Sequence, residues 1–265
     1  MNRVLILGGT GEARELAVAL RDRGVAVISS LAGRVSNPRL PVGEVRIGGF
    51  GGADGLRDWL RGNGISAVVD ATHPYAATIT AHAVTAARAA GVPLLRLCRP
   101  AWTAQPGDNW VHVPTISAAA AAVGEGGLGT NTVGEGARRV FLTTGRQDVT
   151  AFSGIASAWF LIRVVDPPES PLPPHHELLR SRGPYRHTDE LTLMRRHRID
   201  TLVTKNSGGA LTHGKLTAAR ELAIPVIMIA RPDEMSCDAT VPDTATATEW
   251  VVDLLRQQAS EVGRR

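Results

Sequence analysis

The residues best suited to chemistry begin at position 8. Gly8-Gly9-Thr10-Gly11-Glu12-Ala13 follows four apolar residues, Val4 to Leu7, and runs at once into an amphipathic pattern. Glycine adopts backbone angles that cost other residues energy, and it lets a main chain approach a ligand closely. A strand that breaks on such a loop and re-enters a helix offers unpaired N–H groups and a positive dipole end to a phosphate. Gly9-Thr10-Gly11 matches the start of the dinucleotide pattern G-x-G-x-x-G/A, while Arg14 stands at the third glycine position. These six residues, 8 to 13, are the expected phosphate cradle. The bland alternative is a tight strand-to-helix turn without a ligand.

The next apolar run bears on the nucleotide. NAD-binding units carry an acidic residue about 20 positions after the glycine loop, where it holds the ribose hydroxyls. Here the second run ends VISSLAGR, which supplies Ser29, Ser30 and Arg34 but no carboxylate. Hydroxyls and a guanidinium suit a 2′-phosphate, which a carboxylate would repel. NADPH is therefore the expected cofactor rather than NADH.

Three further clusters follow strand-like runs. AVVD ends in Asp70 and leads into Ala71-Thr72-His73-Pro74-Tyr75-Ala76. Polar residues just past a parallel strand sit where open α/β sheets bind ligands, although Asp70 or Thr72 could also simply cap the next helix. In the second half, RVFLTT meets Gly145-Arg146, and LVT runs into Lys205-Asn206-Ser207-Gly208-Gly209. The closely spaced backbone donors of that glycine pair can hold an anion.

The elements that must position these residues alternate regularly. Strands are expected at 3–7, 25–29, 44–47, 66–70 and 93–97, with helices at 11–22, 53–62 and 75–90. A short strand at 110–113 and a helix capped by Thr115 or Ser117 come next. Residues 124–136 then hold six glycines in thirteen positions without periodicity, which reads as a linker. The domain boundary is accordingly expected there, giving domains 1–130 and 131–265. Beyond it come strands at 139–144, 158–164, 200–204 and 225–229 and helices at 189–197, 211–222 and 244–257, with DPPESPLPPHHE as a restricted loop. Strands of this length alternating with helices imply parallel sheets with right-handed crossovers.

Composition narrows the class. The net charge of +4 lacks a basic run, so nucleic acid is not indicated. Cys98 and Cys237 are too few and too isolated for a disulfide framework or a zinc site, so no metal is expected. No stretch approaches the apolar length of a membrane helix, and the N-terminal apolar run ends after four residues, so a cytoplasmic protein is expected. The hydrolase elbow GxSxG and the P-loop are absent. A Tyr-x-x-x-Lys dyad is absent too, since Tyr75 is followed at that spacing by Ile79 and Tyr185 by Asp189.

Taken in order, GGTGEARELA, DATHPYA, the strand ending TTGR, and LVTKNSGG followed by KLTAA and a strand leading into ARP resemble the precorrin-6A reductases. The resemblance covers nearly the whole chain. It implies two Rossmann-like parallel-sheet α/β domains, with the active site in the cleft between them. It also implies an NADPH-dependent oxidoreductase of cobalamin biosynthesis, which reduces one double bond of the precorrin-6A macrocycle to give precorrin-6B. A cobalt-containing form of the substrate belongs to the anaerobic pathway, and the motifs suit either form. A non-catalytic NADPH-sensing module is the alternative from another class.

Such a tetrapyrrole carries acetate and propionate groups around a flat apolar ring, so its site needs charge-assisted donors. Arg146, Lys205, Asn206 and Ser207 are the expected substrate contacts, and the KNSGG loop suits a cofactor phosphate equally well. Thr72 and His73 join residues 8–13, Ser29, Ser30 and Arg34 as expected cofactor contacts. Hydride passes from the nicotinamide to one ring carbon and a proton reaches its neighbour. Lys205, His73 and Tyr75 are the candidate proton donors, with water as the alternative. A monomer or weak homo-oligomer is expected.

Overall fold

The computed structural model describes residues 2–33, 38–124 and 138–262. In chain order the elements are β1 (Arg3–Leu7), α1 (Gly11–Asp22), β2 (Ala26–Leu31), β3 (Glu44–Ile47), α2 (Gly52–Gly62), β4 (Ile65–Asp70), α3 (Ala77–Ala90) and β5 (Leu94–Leu97). There follow β6 (Trp110–Val113), α4 (Ile116–Gly124), β7 (Arg138–Leu142), a 3₁₀ turn (Val149–Phe152), β8 (Ala158–Val164), β9 (His176–Arg180) and α5 (His187–Arg196). Last come β10 (Thr201–Lys205), α6 (Gly214–Glu221), β11 (Val226–Ile229), β12 (Ala239–Val241) and α7 (Thr244–Val262).

The chain divides into two compact units, one of residues 1–100 with 232–265 and one of residues 101–231. The first holds a six-stranded sheet in the order β3-β2-β1-β4-β5-β12. All of its pairings are parallel, and the order is the 3-2-1-4-5-6 of doubly wound dinucleotide-binding sheets. The second sheet runs β9-β8-β7-β10-β11-β6, also parallel throughout.

This differs from the boundary expected between residues 130 and 131. Strand β6 pairs with β11 and so belongs to the second sheet, while β12 pairs with β5 and completes the first. Ladder hydrogen bonds, rather than glycine content, decide the division. The glycine-rich stretch from 125 to 137 lies outside the described residues. It connects α4 to β7, both of which belong to the second unit.

Alternation along the strands builds the core of the first unit. Val4, Ile6 and Val69 point to one face, where they meet Leu16 and Leu20 of α1 and Val251 and Leu255 of α7. Leu5, Leu7 and Val68 point to the other, against Leu56 and Leu60 of α2 and Ala83 and Ala87 of α3. In the second unit Phe141, Leu161, Leu202 and Met228 pack with Met194 of α5 and Leu216 of α6. With only 4% aromatic residues, aliphatic side chains carry most of this burial, and each large one stabilises by about 1.5–3 kcal/mol. No described helix is long and apolar enough to cross a membrane.

Candidate active site

In the first sheet the topological switch lies between β1 and β4, because their following connections leave to opposite faces. Ligands bind in the crevice that this creates at the strand ends. After β1, Gly8 takes φ +118°, a conformation that side-chain-bearing residues rarely adopt. A Cβ there would stand 2.7 Å from the Ala71 oxygen and 2.9 Å from Thr72 Cα. At Gly8 the two loops therefore meet main chain to main chain. Thr10 closes the junction: its Oγ1 donates to the Ala71 carbonyl at 2.8 Å and accepts the Ala13 N–H at 3.1 Å, capping α1. Thr10, Glu12, Ala71, Thr72, Pro74 and Arg99 line a small pocket at this point.

Asp70 is fully buried at the end of β4. It accepts the Thr72 N–H at 3.0 Å, the Thr72 hydroxyl at 2.7 Å and the Thr80 hydroxyl at 2.7 Å, and it pairs with Arg96 at 2.5 Å. The two Thr72 contacts fix the loop that carries Thr72, His73 and Tyr75, and the other two tie Asp70 to α3 and β5. In that loop His73 Nδ1 accepts the Tyr75 N–H at 3.3 Å, and the two rings lie 5.7 Å apart. The first turn of α3 begins at Ala77, two residues later than expected, and its N-cap residue Ala76 makes no side-chain cap hydrogen bond. Glu12 is held by Arg99 through both carboxylate oxygens at 2.9 Å. This ties α1 to the segment after β5, so the Glu12 carboxylate serves as a brace.

At the adjoining edge, Ser29 and Ser30 are both buried near the end of β2. The Ser29 hydroxyl lacks a hydrogen-bond partner among the described residues. Arg34 lies outside the described residues. A different arginine stands in register with Ser30: Arg46 of β3, whose Nη1 donates to Ser30 Oγ at 3.4 Å. Its guanidinium also donates to the Gly48 and Gly49 carbonyls, both at 2.6 Å, and lies 3.7 Å over the Phe50 ring. Burial pushes its pKa down from the ordinary value.

The second sheet has its own switch, between β7 and β10, and it gathers the other expected residues. Thr143 continues the ladder, its N–H and hydroxyl donating to the Val203 carbonyl at 3.0 and 3.1 Å. Gly145 turns the chain at φ +88°, and Arg146 follows in the same turn. Lys205, the last residue of β10, forms a tight ion pair with Asp148. Asn206 has a different task. Its Oδ1 accepts the Trp102 N–H at 2.7 Å and its Nδ2 donates to the Trp102 carbonyl at 3.0 Å. Trp102 Nε1 in turn donates to Gly209 O at 2.9 Å, and Arg231 holds the carbonyls of Asn206 and Ser207. The KNSGG loop is thus cross-braced, and the Asn206 amide is committed to the brace.

The family model of precorrin-6x reductase CbiJ/CobK matches residues 3–252. The chain belongs to this family. A precorrin-6A reductase of Rhodococcus erythropolis is 54% identical over 258 residues, which span 97% of this chain and 100% of that protein. The solved structure described as CobK precorrin-6A reductase superimposes with a TM-score of 0.86 at 42% identity, covering 96% of this chain and 97% of the other. A cobalt-precorrin-6A reductase of Priestia megaterium is 28% identical over 86% of this chain and 90% of its own length.

Against that family background, Arg46, Asp148 and Trp102 are among the polar and aromatic residues around these loops that sequence reasoning passed over, with Arg96, Arg99 and Arg231. Arg46 sits in a short edge strand, and only its register with Ser30 brings it to the site. Asp148 lies two residues past Arg146, so a search that followed the strand end one step further would have met it. Trp102 is 104 positions from Asn206, and no local signal joins them. Among the described residues no group of three or more His, Cys, Asp or Glu side chains is placed to hold a metal ion.

Proposed function

We propose that this protein reduces precorrin-6A to precorrin-6B, using NADPH as the reductant. The observation that carries the reading is the pair of loops at the β1/β4 switch, packed main chain to main chain in a chain that matches a precorrin-6A reductase over that protein's whole length. Gly8, Gly9 and Gly11, with the N–H group of Thr10 at the start of α1, form the cradle for the pyrophosphate. The neighbouring Ser30 and Arg46 are suited to the adenosine 2′-phosphate, and no carboxylate ends β2 to oppose it. The nicotinamide supplies the hydride when it is bound.

The chain's own groups do the rest. Thr72 and His73 border the cradle on the β4 side, where the Asp70 contacts hold them still. In the second unit, Arg146 and the main chain of Ser207 are suited to macrocycle carboxylates, and the Lys205 ammonium can give a proton at Nζ. His73 and Tyr75 remain the other candidates for that proton. An anaerobic mixture of the protein, NADPH and precorrin-6A should lose nicotinamide absorbance and accumulate precorrin-6B. Cobalt-precorrin-6A should turn over more slowly, in keeping with the lower identity to proteins of that name. Absence of NADPH oxidation with either macrocycle would favour the sensing-module alternative.

A further inference from the structure

Of the 29 basic side chains in this sequence, only two are lysines, Lys205 and Lys215. Wherever a cation of any shape would do, the chain uses arginine. An arginine guanidinium does not release its proton in a protein, whereas a lysine ammonium does. Lys215 has a packing reason for its compact head: it is buried, donates to the Thr212 carbonyl at 2.9 Å and lies 4.8 Å over the Trp102 ring. Lys205 stands instead at the β7/β10 switch beside a carboxylate.

Both ends of that ion pair are anchored through their main chains. Lys205 is in register with Ile229 of β11. Asp148 donates its N–H to the Gly145 carbonyl at 3.3 Å and accepts the Ala151 N–H at 3.2 Å. The 3₁₀ turn beyond it is pinned by the fully buried Val149 and Phe152. About a fifth of each side chain is exposed. The geometric effect of the pair is large, since a flexible four-carbon stem is tied to one point.

We infer that Asp148 is a positioning residue that holds the Lys205 ammonium as the proton donor of the reduction; this rests on the function proposed above. Bound NADPH would supply two electrons and one hydrogen, as hydride, to a ring carbon. The carbon beside it takes the proton from Lys205 Nζ as the N–H bond breaks and a C–H bond forms. The amine regains a proton from water, and the Asp148 carboxylate stays ionised throughout.

The test uses the 265-residue protein with ¹⁵N-labelled lysine, whose two side chains give two ammonium signals. Asp148→Asn should displace the Lys205 signal, identified by its loss in Lys205→Met, and leave that of Lys215 in place without any cofactor present. With NADPH and precorrin-6A, Asp148→Asn should lower kcat by about tenfold or more while the KM for NADPH stays put, as for a misplaced catalytic group. Asp148→Glu should recover part of the loss, and it serves as the readout if the asparagine variant melts early. Lys205→Arg should keep substrate affinity and lose turnover. An unmoved Lys205 signal, wild-type kcat in Asp148→Asn, or an active Lys205→Arg would each overturn the inference. A wild-type protein that ignores precorrin-6A would instead overturn the parent function, and the donor role with it, even if the lysine signals behave as expected.

Discussion

Replacing Gly8 with alanine puts one methyl group into the contact that defines the β1/β4 switch. At φ +118° the backbone conformation itself costs a side-chain-bearing residue about 1–3 kcal/mol. The new Cβ would also meet Ala71 O at 2.7 Å and Ala71 C at 2.9 Å, and neither main-chain atom can rotate away. The two loops must separate, which withdraws backbone N–H groups from the phosphate cradle. Losing one such charge-assisted hydrogen bond costs about 1.5–3 kcal/mol, or roughly tenfold to a hundredfold in Kd. Fluorescence titration of NADPH, with a thermal melt run alongside, should show both weakened binding and a lower melting temperature. Gly9→Ala is the internal control. Its Cβ would meet only the Leu31 Cδ2 at 3.2 Å, the free end of a side chain that can yield. If Gly8→Ala binds NADPH like the wild type, the close approach of the loops has no part in holding the cofactor.

Asp70→Asn removes the charge opposite the buried Arg96 and should cost about 3–5 kcal/mol in urea denaturation; a loss below about 1 kcal/mol would show that the pair is dispensable. Arg46→Ala should lower the ratio of NADPH to NADH affinity by about tenfold, equivalent to ~1.4 kcal/mol, whereas an unchanged ratio from calorimetry would move the 2′-phosphate elsewhere. Asp108 gives a pH prediction. Burial pushes its carboxyl up, but hydrogen bonds from Arg220 and the Gln105 N–H, with the Arg220 charge, outweigh this and hold its pKa below the ordinary value. The resulting stability is present above the unfolded pKa and is lost as pH falls through the lower folded one, so Asp108→Asn should flatten the acid limb of the melting curve below about pH 4.

Much of the fold is legible because buried parallel strands announce themselves. The runs VLIL in β1, AVV in β4 and VIMI in β11 are apolar on both faces, and each lies within a strand expected to within a residue or two. The elements that escaped are those without a buried run. Strand β9 is an edge strand with two exposed residues at its start and a proline-rich approach, and β12 is three residues long. The mistaken boundary has the same origin, since β6 and β12 choose their sheets by pairing with strands more than a hundred positions away in sequence. The positions of the GGTG and THPY loops, at strand ends of the first sheet, were legible because each directly follows a parallel strand. The braces were not. Asn206 looked like a ligand donor from its place in KNSGG, and only the backbone of Trp102 reveals what its amide holds.

The most direct measurement follows the hydride itself. NADPH carrying deuterium at both C4 positions is mixed with the protein and precorrin-6A in ordinary water, and the product is weighed by mass spectrometry. Direct transfer within the site should place one deuterium on each molecule of precorrin-6B, with the second added hydrogen drawn from the solvent-exchangeable donor. In heavy water with unlabelled NADPH, the macrocycle should gain one deuterium at the neighbouring carbon. Product that carries no label from the nicotinamide would contradict the account, because the cradle at Gly8 would then serve some purpose other than delivering the reductant.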